Sequence, residues 1–293
     1  MTGVTPAIAD FMRREQLGSG FADTVERVYR PLAARIGTLA AGQPGLVVGL
    51  CGSQGSGKST GAALLQILLD EARFKTAVLS IDDLYLPKED RKKLAEDVDP
   101  LLATRGPPGT HDVALGQRLL DELPGPQVTA IPRFDKARDT RADPDDWDHF
   151  QGPADIILFE GWCVGARPEP PGALIRPIND LERIFDPNCR WRRYVNNALA
   201  GPYQSLFARL SFQILLQAPS FEVVARWRKE QEAKLRARVG DSTGVMTDAQ
   251  IDRFIQYYER LTRFILGEMP SRADAVVALD ANRHVTDFEL RGA

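Results

Sequence analysis

The chain has 293 residues, with 37 Lys or Arg against 40 Asp or Glu, so its formal net charge is -3. This near balance argues against a general nucleic-acid binder, which usually carries a strongly basic surface. Cys51, Cys163 and Cys189 lie far apart without metal-ligand spacing, so we expect neither a disulfide framework nor a zinc site. With no signal-peptide pattern and no apolar run long enough for a bilayer, we predict a cytoplasmic protein without a membrane partner.

The first forty residues have a mostly helical pattern. Apolar residues recur at three- and four-residue steps between Phe21 and Leu32, and Pro31 is expected to kink or divide the helix there. After the break at residues 43–45, strand-like and helix-like segments alternate. We therefore divide the chain into an N-terminal helical extension, residues 1–40, and a single globular unit, residues 41–293.

The globular unit begins with a strand–helix–strand pattern, in which a strand over Leu46–Cys51 and a helix over Lys58–Arg73 precede a strand over Thr76–Ile81. Such a unit favours an α/β fold with a mostly parallel sheet flanked by helices. The other predicted elements are a loop over Arg105–Asp112, a helix over Val113–Leu123, strands over Gln127–Phe134, Ala154–Phe159 and Phe212–Leu216, helices over Phe221–Arg238 and Thr247–Leu266, and a last strand over Ala275–Leu279.

Residues 52–59 read GSQGSGKS and match the pattern G-x-x-x-x-G-K-[ST] between the first strand and the first helix. Glycines in this pattern let backbone N–H groups turn inward and surround phosphates at a helix N-terminus. Lys58 is the candidate catalytic cation for the β and γ phosphates, and Ser59 is a candidate Mg²⁺ ligand. The pattern predicts a P-loop NTPase fold and a nucleoside triphosphate site formed by Gly52, Ser53, Gln54, Gly55, Ser56, Gly57, Lys58, Ser59 and Thr60.

Carboxylates follow two of the predicted strands. Asp82 and Asp83 end the second strand, and Glu160 ends the apolar run ADIILF, as a Walker-B acid does. The carboxyl ends of parallel strands share one crevice, so these acids are expected near the phosphates. We predict Mg²⁺ held by Ser59 together with Asp82 and Glu160, with Asp82 also orienting an acceptor hydroxyl.

Four segments that follow the P-loop resemble those of a known enzyme family. The segments LSIDDLYL (79–86), RGPPGTHD (105–112), IPRFDK (131–136) and ILFEGW (157–162), following the P-loop, are similar to those of plant-type D-glycerate 3-kinases. These enzymes belong to the P-loop kinase group of uridine kinase, phosphoribulokinase and pantothenate kinase. The resemblance covers roughly residues 45–282. It implies ATP- and Mg²⁺-dependent phosphorylation of D-glycerate to 3-phosphoglycerate, a helical lid, a catalytic carboxylate at Asp82 and a lid arginine at Arg228. Between FDK and RADPDDW the chain is shorter than the plant members.

Glycerate is a small anion, so its pocket should offer cations and N–H donors. We take Arg105, His111, Arg133 and Lys136 as candidate acceptor contacts, and interpret His111 as a hydrogen-bonding group, not a general base. Asp83, Tyr85 and Asp135, in the same motifs, complete the candidate substrate set.

Three alternatives to this assignment remain open. The cations of these loops could instead balance neighbouring aspartates on a solvated surface. The acceptor could be another metabolite, such as uridine, pantothenate or a sugar phosphate. The chain could also be a nucleotide-dependent regulatory protein, although it has no [NT]-K-x-D pattern for guanine recognition.

Overall fold

The computed structural model describes residues 3–239 and 246–292, and its centre is a six-stranded sheet. The strands of the fold are β1 (Leu46–Gly52), β2 (Thr76–Ser80), β3 (Val128–Ile131), β4 (Phe134–Asp135), β5 (Thr140–Arg141), β6 (Asp148–Gln151), β7 (Ile156–Gly161), β8 (Phe212–Gln217), β9 (Ala275–Leu279) and β10 (Val285–Leu290). The main sheet has the order β10-β9-β8-β1-β7-β2, and β10 alone within it is antiparallel to its neighbour. The predicted α/β fold with a mostly parallel sheet is therefore confirmed.

Helices cover both faces of this sheet. They are α1 (Pro6–Arg14), α2 (Phe21–Thr24), α3 (Arg30–Gly42), α4 (Lys58–Glu71), α5 (Lys88–Asp97), α6 (Val113–Glu122), α7 (Asp180–Phe185), α8 (Arg190–Ala198), α9 (Gln204–Phe207), α10 (Phe221–Val239) and α11 (Asp248–Glu268). A π-helical turn, Val25–Tyr29, joins α2 to α3 directly before Pro31. Proline has no backbone N–H to donate within the helix, which explains the irregular turn at the predicted kink. Helical structure nevertheless continues from Phe21 to Gly42.

The core lies in two layers, one on each side of the sheet, because neighbouring residues of a strand point to opposite faces. Leu46, Val48 and Leu50 of β1 pack with the helices α1, α3, α4 and the start of α10. Val47 and Cys51 face the other layer, which includes α6, α8 and α11. Helices α1 and α3 of the N-terminal extension thus share a core with the sheet.

The registers of three adjacent strands decide where the candidate site lies. Glu160 of β7 is level with Leu50 of β1 on one side and with Ser80 of β2 on the other. All three strands are parallel, so the residues that follow β1 and β2 emerge beside Glu160. The P-loop and the two aspartates after Ser80 consequently meet at one edge, as predicted.

Two strand predictions were wrong in part. The expected strand over residues 127–134 is broken at Pro132, and its pieces, β3 and β4, pair with β6 and β5 in two small antiparallel sheets outside the main one. Proline cannot donate to a ladder, which explains the break. The strand over 275–279 is not the last, because β10 follows as an antiparallel edge strand whose outer residues are polar.

Several helices were not expected from the sequence at all. Helices α5, α7 and α8 are only six to ten residues long, and α8 buries Arg192 against Glu182 and Asp186. A charged residue that is buried in an ion pair does not contribute to a hydrophobic pattern, so its burial cannot be predicted from hydrophobic periodicity. Within the described residues, no helix has the length and apolar character needed to cross a membrane.

Candidate active site

The P-loop ends in a helix whose N-terminus is free to bind an anion. Helix α4 begins at Lys58, and its N-cap residue Gly57 has a φ of 88°, a left-handed conformation that favours glycine. No side chain caps the helix, so its first N–H groups point into the loop without a side-chain partner. The hydroxyls of Ser53 and Ser56 are buried and also have no partner. This arrangement suits a phosphate chain, because every free group offers a hydrogen.

The outer side of the loop rests on residues from the far end of the chain. Gly55 has a φ of 80°, and a Cβ built on it would lie 2.6 Å from the Cβ of Trp227 at the start of α10. Arg283 donates to the Gly55 carbonyl at 2.7 Å, and its guanidinium lies 5.0 Å from the Trp227 ring centre. Sequence reasoning missed Arg283, because it carries no local motif and reaches the loop across 228 residues.

Ser59 and Glu160 form the predicted pair behind the loop. The Ser59 hydroxyl donates to Oε1 of Glu160 at 2.9 Å. Glu160 is 5% exposed, and its second oxygen, Oε2, is buried without a partner. Two oxygen ligands beside a phosphate cradle fit Mg²⁺, which usually takes few protein ligands and completes its shell with phosphate and water. No group of three or more His, Cys, Asp or Glu side chains in the described ranges could hold a metal by itself.

Asp82 lies at the mouth of the same edge, bound by two side chains. Lys136 donates to its Oδ2 at 3.0 Å, and the Tyr85 hydroxyl donates to its Oδ1 at 2.9 Å. Burial raises the pKa of Asp82, but the positive charges of Lys136 and Lys58 outweigh that effect and hold the pKa well below its usual range. Asp82 is therefore ionised at neutral pH. Among the described contacts it makes no hydrogen bond to Ser59 or Glu160, so the predicted three-residue metal set is only partly assembled.

Asp83 faces the other way and fastens the β4 region to the end of β2. Its Oδ1 accepts from the backbone N–H of Phe134 at 3.0 Å, and its Oδ2 accepts from Arg133 at 2.7 Å. Arg133 also pairs with Asp148. Burial raises the pKa of Asp83 despite these favourable contacts. Because Asp83 and Arg133 hold each other, their predicted contact with a substrate stays a prediction.

Two further predicted substrate residues also have partners within the protein. Asp135 accepts from the backbone N–H groups of Ala137 and Arg138 at 2.9 and 3.0 Å, which closes the turn after IPRFDK. Arg105 pairs with Asp139, and its guanidinium lies 5.6 Å from the centre of the Phe134 ring. Asp135 thus stabilises the turn, while the positive charge of Arg105 lies between the RGPPGTHD and IPRFDK segments.

His111 brings the RGPPGTHD loop to the catalytic edge. It forms an antiparallel bridge with Tyr85, and the two rings stack with centres 4.6 Å apart. Burial lowers the pKa of His111 to about 3, although the nearby Asp82 carboxylate opposes this shift. The ring is therefore neutral at pH 7, which agrees with its interpretation as a hydrogen-bonding group. Its Nδ1 lies 2.6 Å from the hydroxyl of Tyr203, a residue that sequence reasoning missed.

Arg228, the candidate lid arginine, lies on the first turns of α10. It pairs with the buried Glu232 at 2.7 Å, and its guanidinium lies 5.8 Å from the Phe254 ring centre on α11. Burial raises the pKa of Tyr258 well above its ordinary value, and the positive charge of Arg228 is among the effects that oppose this shift. Tyr258 in turn donates to the carbonyl of Arg105. Arg228 is thus close to the acceptor loops, and contact with a phosphate would require it to leave Glu232.

Comparisons with known proteins identify relatives of this arrangement. No protein-family model matches the chain. The chain is 30% identical over 255 residues to the chloroplastic D-glycerate 3-kinase of Arabidopsis thaliana, covering 81% of this chain and 52% of the plant protein. It is 30% identical over 258 residues to the uncharacterized kinase mug58 of Schizosaccharomyces pombe, covering 83% and 90%. The chain thus spans about half the length of the plant relative and most of the yeast one.

A solved structure agrees with these sequence matches. The D-glycerate 3-kinase of Cryptococcus neoformans superposes with a TM-score of 0.74 at 26% identity. The match covers 93% of this chain and 99% of the fungal protein. The match therefore extends over most of both chains.

Proposed function

The chain belongs to the kinase family of these relatives, and from that premise we propose that it transfers a phosphoryl group from ATP to D-glycerate, giving 3-phosphoglycerate, with Mg²⁺ as cofactor. The observation that carries the proposal is the contact between Lys136 and Asp82 at 3.0 Å. It joins the IPRFDK segment to the carboxylate beside the P-loop. An acceptor bound there would have its hydroxyl near Asp82 and a cation near its own negative charge.

The donor side of the proposed reaction uses the P-loop. Lys58 and the free N–H groups of α4 would neutralise the triphosphate, and the unpartnered hydroxyls of Ser53 and Ser56 add further donors. Ser59 and Glu160 would hold Mg²⁺. When bound, this ion would supply positive charge that neutralises the negative charge developing during transfer.

The acceptor side uses an ionised carboxylate. Phosphoryl transfer has a loose transition state, so it needs an oriented hydroxyl more than a strong base. Asp82 suits this task, because Lys136 and Lys58 keep it ionised and Tyr85 fixes one of its oxygens. The predominance of cations and hydrogen-bond donors over exposed aromatic rings in this region favours a small anion over a nucleoside base.

Arg228 is proposed to act on the closed form of the enzyme. In the structure it is paired with Glu232, near Tyr258 and the acceptor loops. Release from Glu232 would let the Arg228 guanidinium approach the transferring phosphoryl group, where a positive charge stabilises the transition state most. Such a step would also couple acceptor binding to catalysis and limit hydrolysis of ATP.

A substrate panel tests the proposal. The rate of ADP formation from ATP and Mg²⁺ is measured by a coupled assay with D-glycerate, L-glycerate, uridine, pantothenate and ribulose 5-phosphate. We expect strong stimulation by D-glycerate alone. Stimulation by uridine or pantothenate in its place would refute the substrate but keep the kinase class. A rate of ADP formation that no acceptor increases would favour the alternative that the chain is a nucleotide-dependent regulatory protein.

A further inference from the structure

Tyr203 sets the hydrogen-bonding state of His111. The backbone N–H of Gly109 donates to the Tyr203 hydroxyl oxygen at 2.9 Å, and Nδ1 of His111 lies 2.6 Å from the same oxygen. Tyr203 is 1% exposed, and burial raises its pKa well above 10, so the phenol keeps its proton. That proton has His111 Nδ1 as its acceptor among the described residues.

The alternative arrangement would leave a group unsatisfied. If Nδ1 carried the hydrogen and donated to Tyr203, the phenol oxygen would receive two hydrogens and its own hydrogen would have no acceptor. If Tyr203 donates to Nδ1, the phenol and the Gly109 N–H are both satisfied. A neutral imidazole carries one hydrogen, so this second arrangement places it on Nε2.

Nε2 of His111 is then a donor with nothing to donate to. It is buried without a hydrogen-bond partner, in a residue that is 5% exposed. A buried N–H that lacks a partner is costly, so native proteins rarely keep one that no protein group, water or ligand satisfies. The His111 ring stacks on the ring of Tyr85, and the Tyr85 hydroxyl donates to Asp82, so His111 lies beside a residue that binds the catalytic carboxylate.

We infer that His111 donates a hydrogen bond from Nε2 to an oxygen of the anionic acceptor, and that Tyr203 is the positioning residue that holds His111 in this tautomer. This inference rests on the proposed function for the identity of the acceptor. A neutral donor suits the position, because it can bind a carboxylate or hydroxyl oxygen, whereas a charged imidazolium would compete with Lys136 for the Asp82 carboxylate. Tyr203 contacts His111 and not the acceptor, so replacing Tyr203 should change the binding of the acceptor without removing a group that takes part in phosphoryl transfer.

Imidazole ¹⁵N NMR reads the tautomer directly. The chain has three histidines, so the His111 signal is identified by its loss in His111→Phe. We expect wild-type His111 to be neutral at pH 7 with its hydrogen on Nε2, and saturation with D-glycerate to shift that nitrogen. Tyr203→Phe removes the directing hydroxyl and should populate the Nδ1–H form. Tyr194→Phe is the matched control, because Tyr194 also packs against Gly109 but makes no described hydrogen bond to His111.

Kinetics test the contact with the acceptor. His111→Phe keeps the ring and removes the donor, so the KM for D-glycerate should rise about 10- to 100-fold, with the KM for ATP within about twofold of wild type. Tyr203→Phe should raise the same KM by less, and Tyr194→Phe should leave it unchanged. An unchanged KM in His111→Phe, or a wild-type His111 with its hydrogen on Nδ1, would overturn the inference.

The two proposals fail in distinguishable ways. If wild-type protein phosphorylates another member of the panel and not D-glycerate, the substrate assignment fails, and the NMR and KM comparisons are made with that acceptor. An Nε2 signal that does not move on saturation with an acceptor that the enzyme phosphorylates overturns the role of His111 and leaves the function standing. Because the tautomer is read without any substrate, its result does not depend on turnover.

Discussion

Replacing Asp82 by Asn separates a catalytic role from a structural one. The amide keeps the volume and can still accept from Tyr85, but its NH₂ group faces the ammonium of Lys136, where the carboxylate oxygen accepted at 3.0 Å. Lys136 is 62% exposed on its side chain, so losing this pair should cost stability only about 0.2–1 kcal/mol. Losing the group that orients the hydroxyl should lower kcat about 100-fold or more.

The two effects differ enough to be told apart. A 100-fold loss corresponds to about 2.7 kcal/mol of transition-state stabilisation, which exceeds the expected loss of folding free energy. The assay is kcat at saturating ATP and D-glycerate, with urea unfolding and calorimetric binding of a non-hydrolysable ATP analogue on the same samples. Asp145→Asn is the control, since Asp145 is an exposed aspartate of the same region. A kcat within threefold of wild type would refute the role of Asp82.

Two further predictions concern the neighbours of Asp82. Lys136→Met removes the charge that lowers the pKa of Asp82, so this pKa should rise towards its ordinary value. Since the ionised form is the active one, the acid limb of kcat/KM should move to higher pH; an unmoved limb would exclude Asp82 as the group that titrates there. Asp83→Asn breaks the contact with Arg133 and weakens that with the Phe134 N–H, and should lower the free energy of unfolding by about 1–3 kcal/mol in urea titrations. A loss of kcat as large as that of Asp82→Asn, with stability unchanged, would contradict the structural role of Asp83.

The parts of the fold that sequence predicts well are those with a local signal. The strand before the P-loop is apolar at every position and buried along its whole length, and the G-x-x-x-x-G-K-S pattern fixes the turn that follows. The antiparallel pieces β3 to β6 are less accessible to such reasoning, because they are two to four residues long. Strand β10 was missed because the adjacent polar residues Thr286 and Asp287 interrupt the alternation that indicates a half-buried strand.

The candidate site also contains residues that a local sequence signal indicates and residues that it does not. Ser59 and Glu160 were both placed near the phosphate site by the sequence, because the loop after one parallel strand and the end of the next lie at the same sheet edge. The sequence did not indicate the partners of Asp82 and Asp83, since Lys136 and Arg133 lie 54 and 50 residues away from them and the two neighbouring aspartates contact different segments. Tyr203 and Arg283 had no motif at all. Their positions depend on how distant segments pack, which composition and periodicity do not encode.

Phosphorylation of D-glycerate on its terminal hydroxyl can be followed by ³¹P NMR of a reaction that contains the enzyme, ATP, Mg²⁺ and D-glycerate. We expect one new phosphomonoester signal, identical to that of added 3-phosphoglycerate and formed in equal amount to ADP. Inorganic phosphate as the sole product, or the signal of 2-phosphoglycerate, would contradict this expectation.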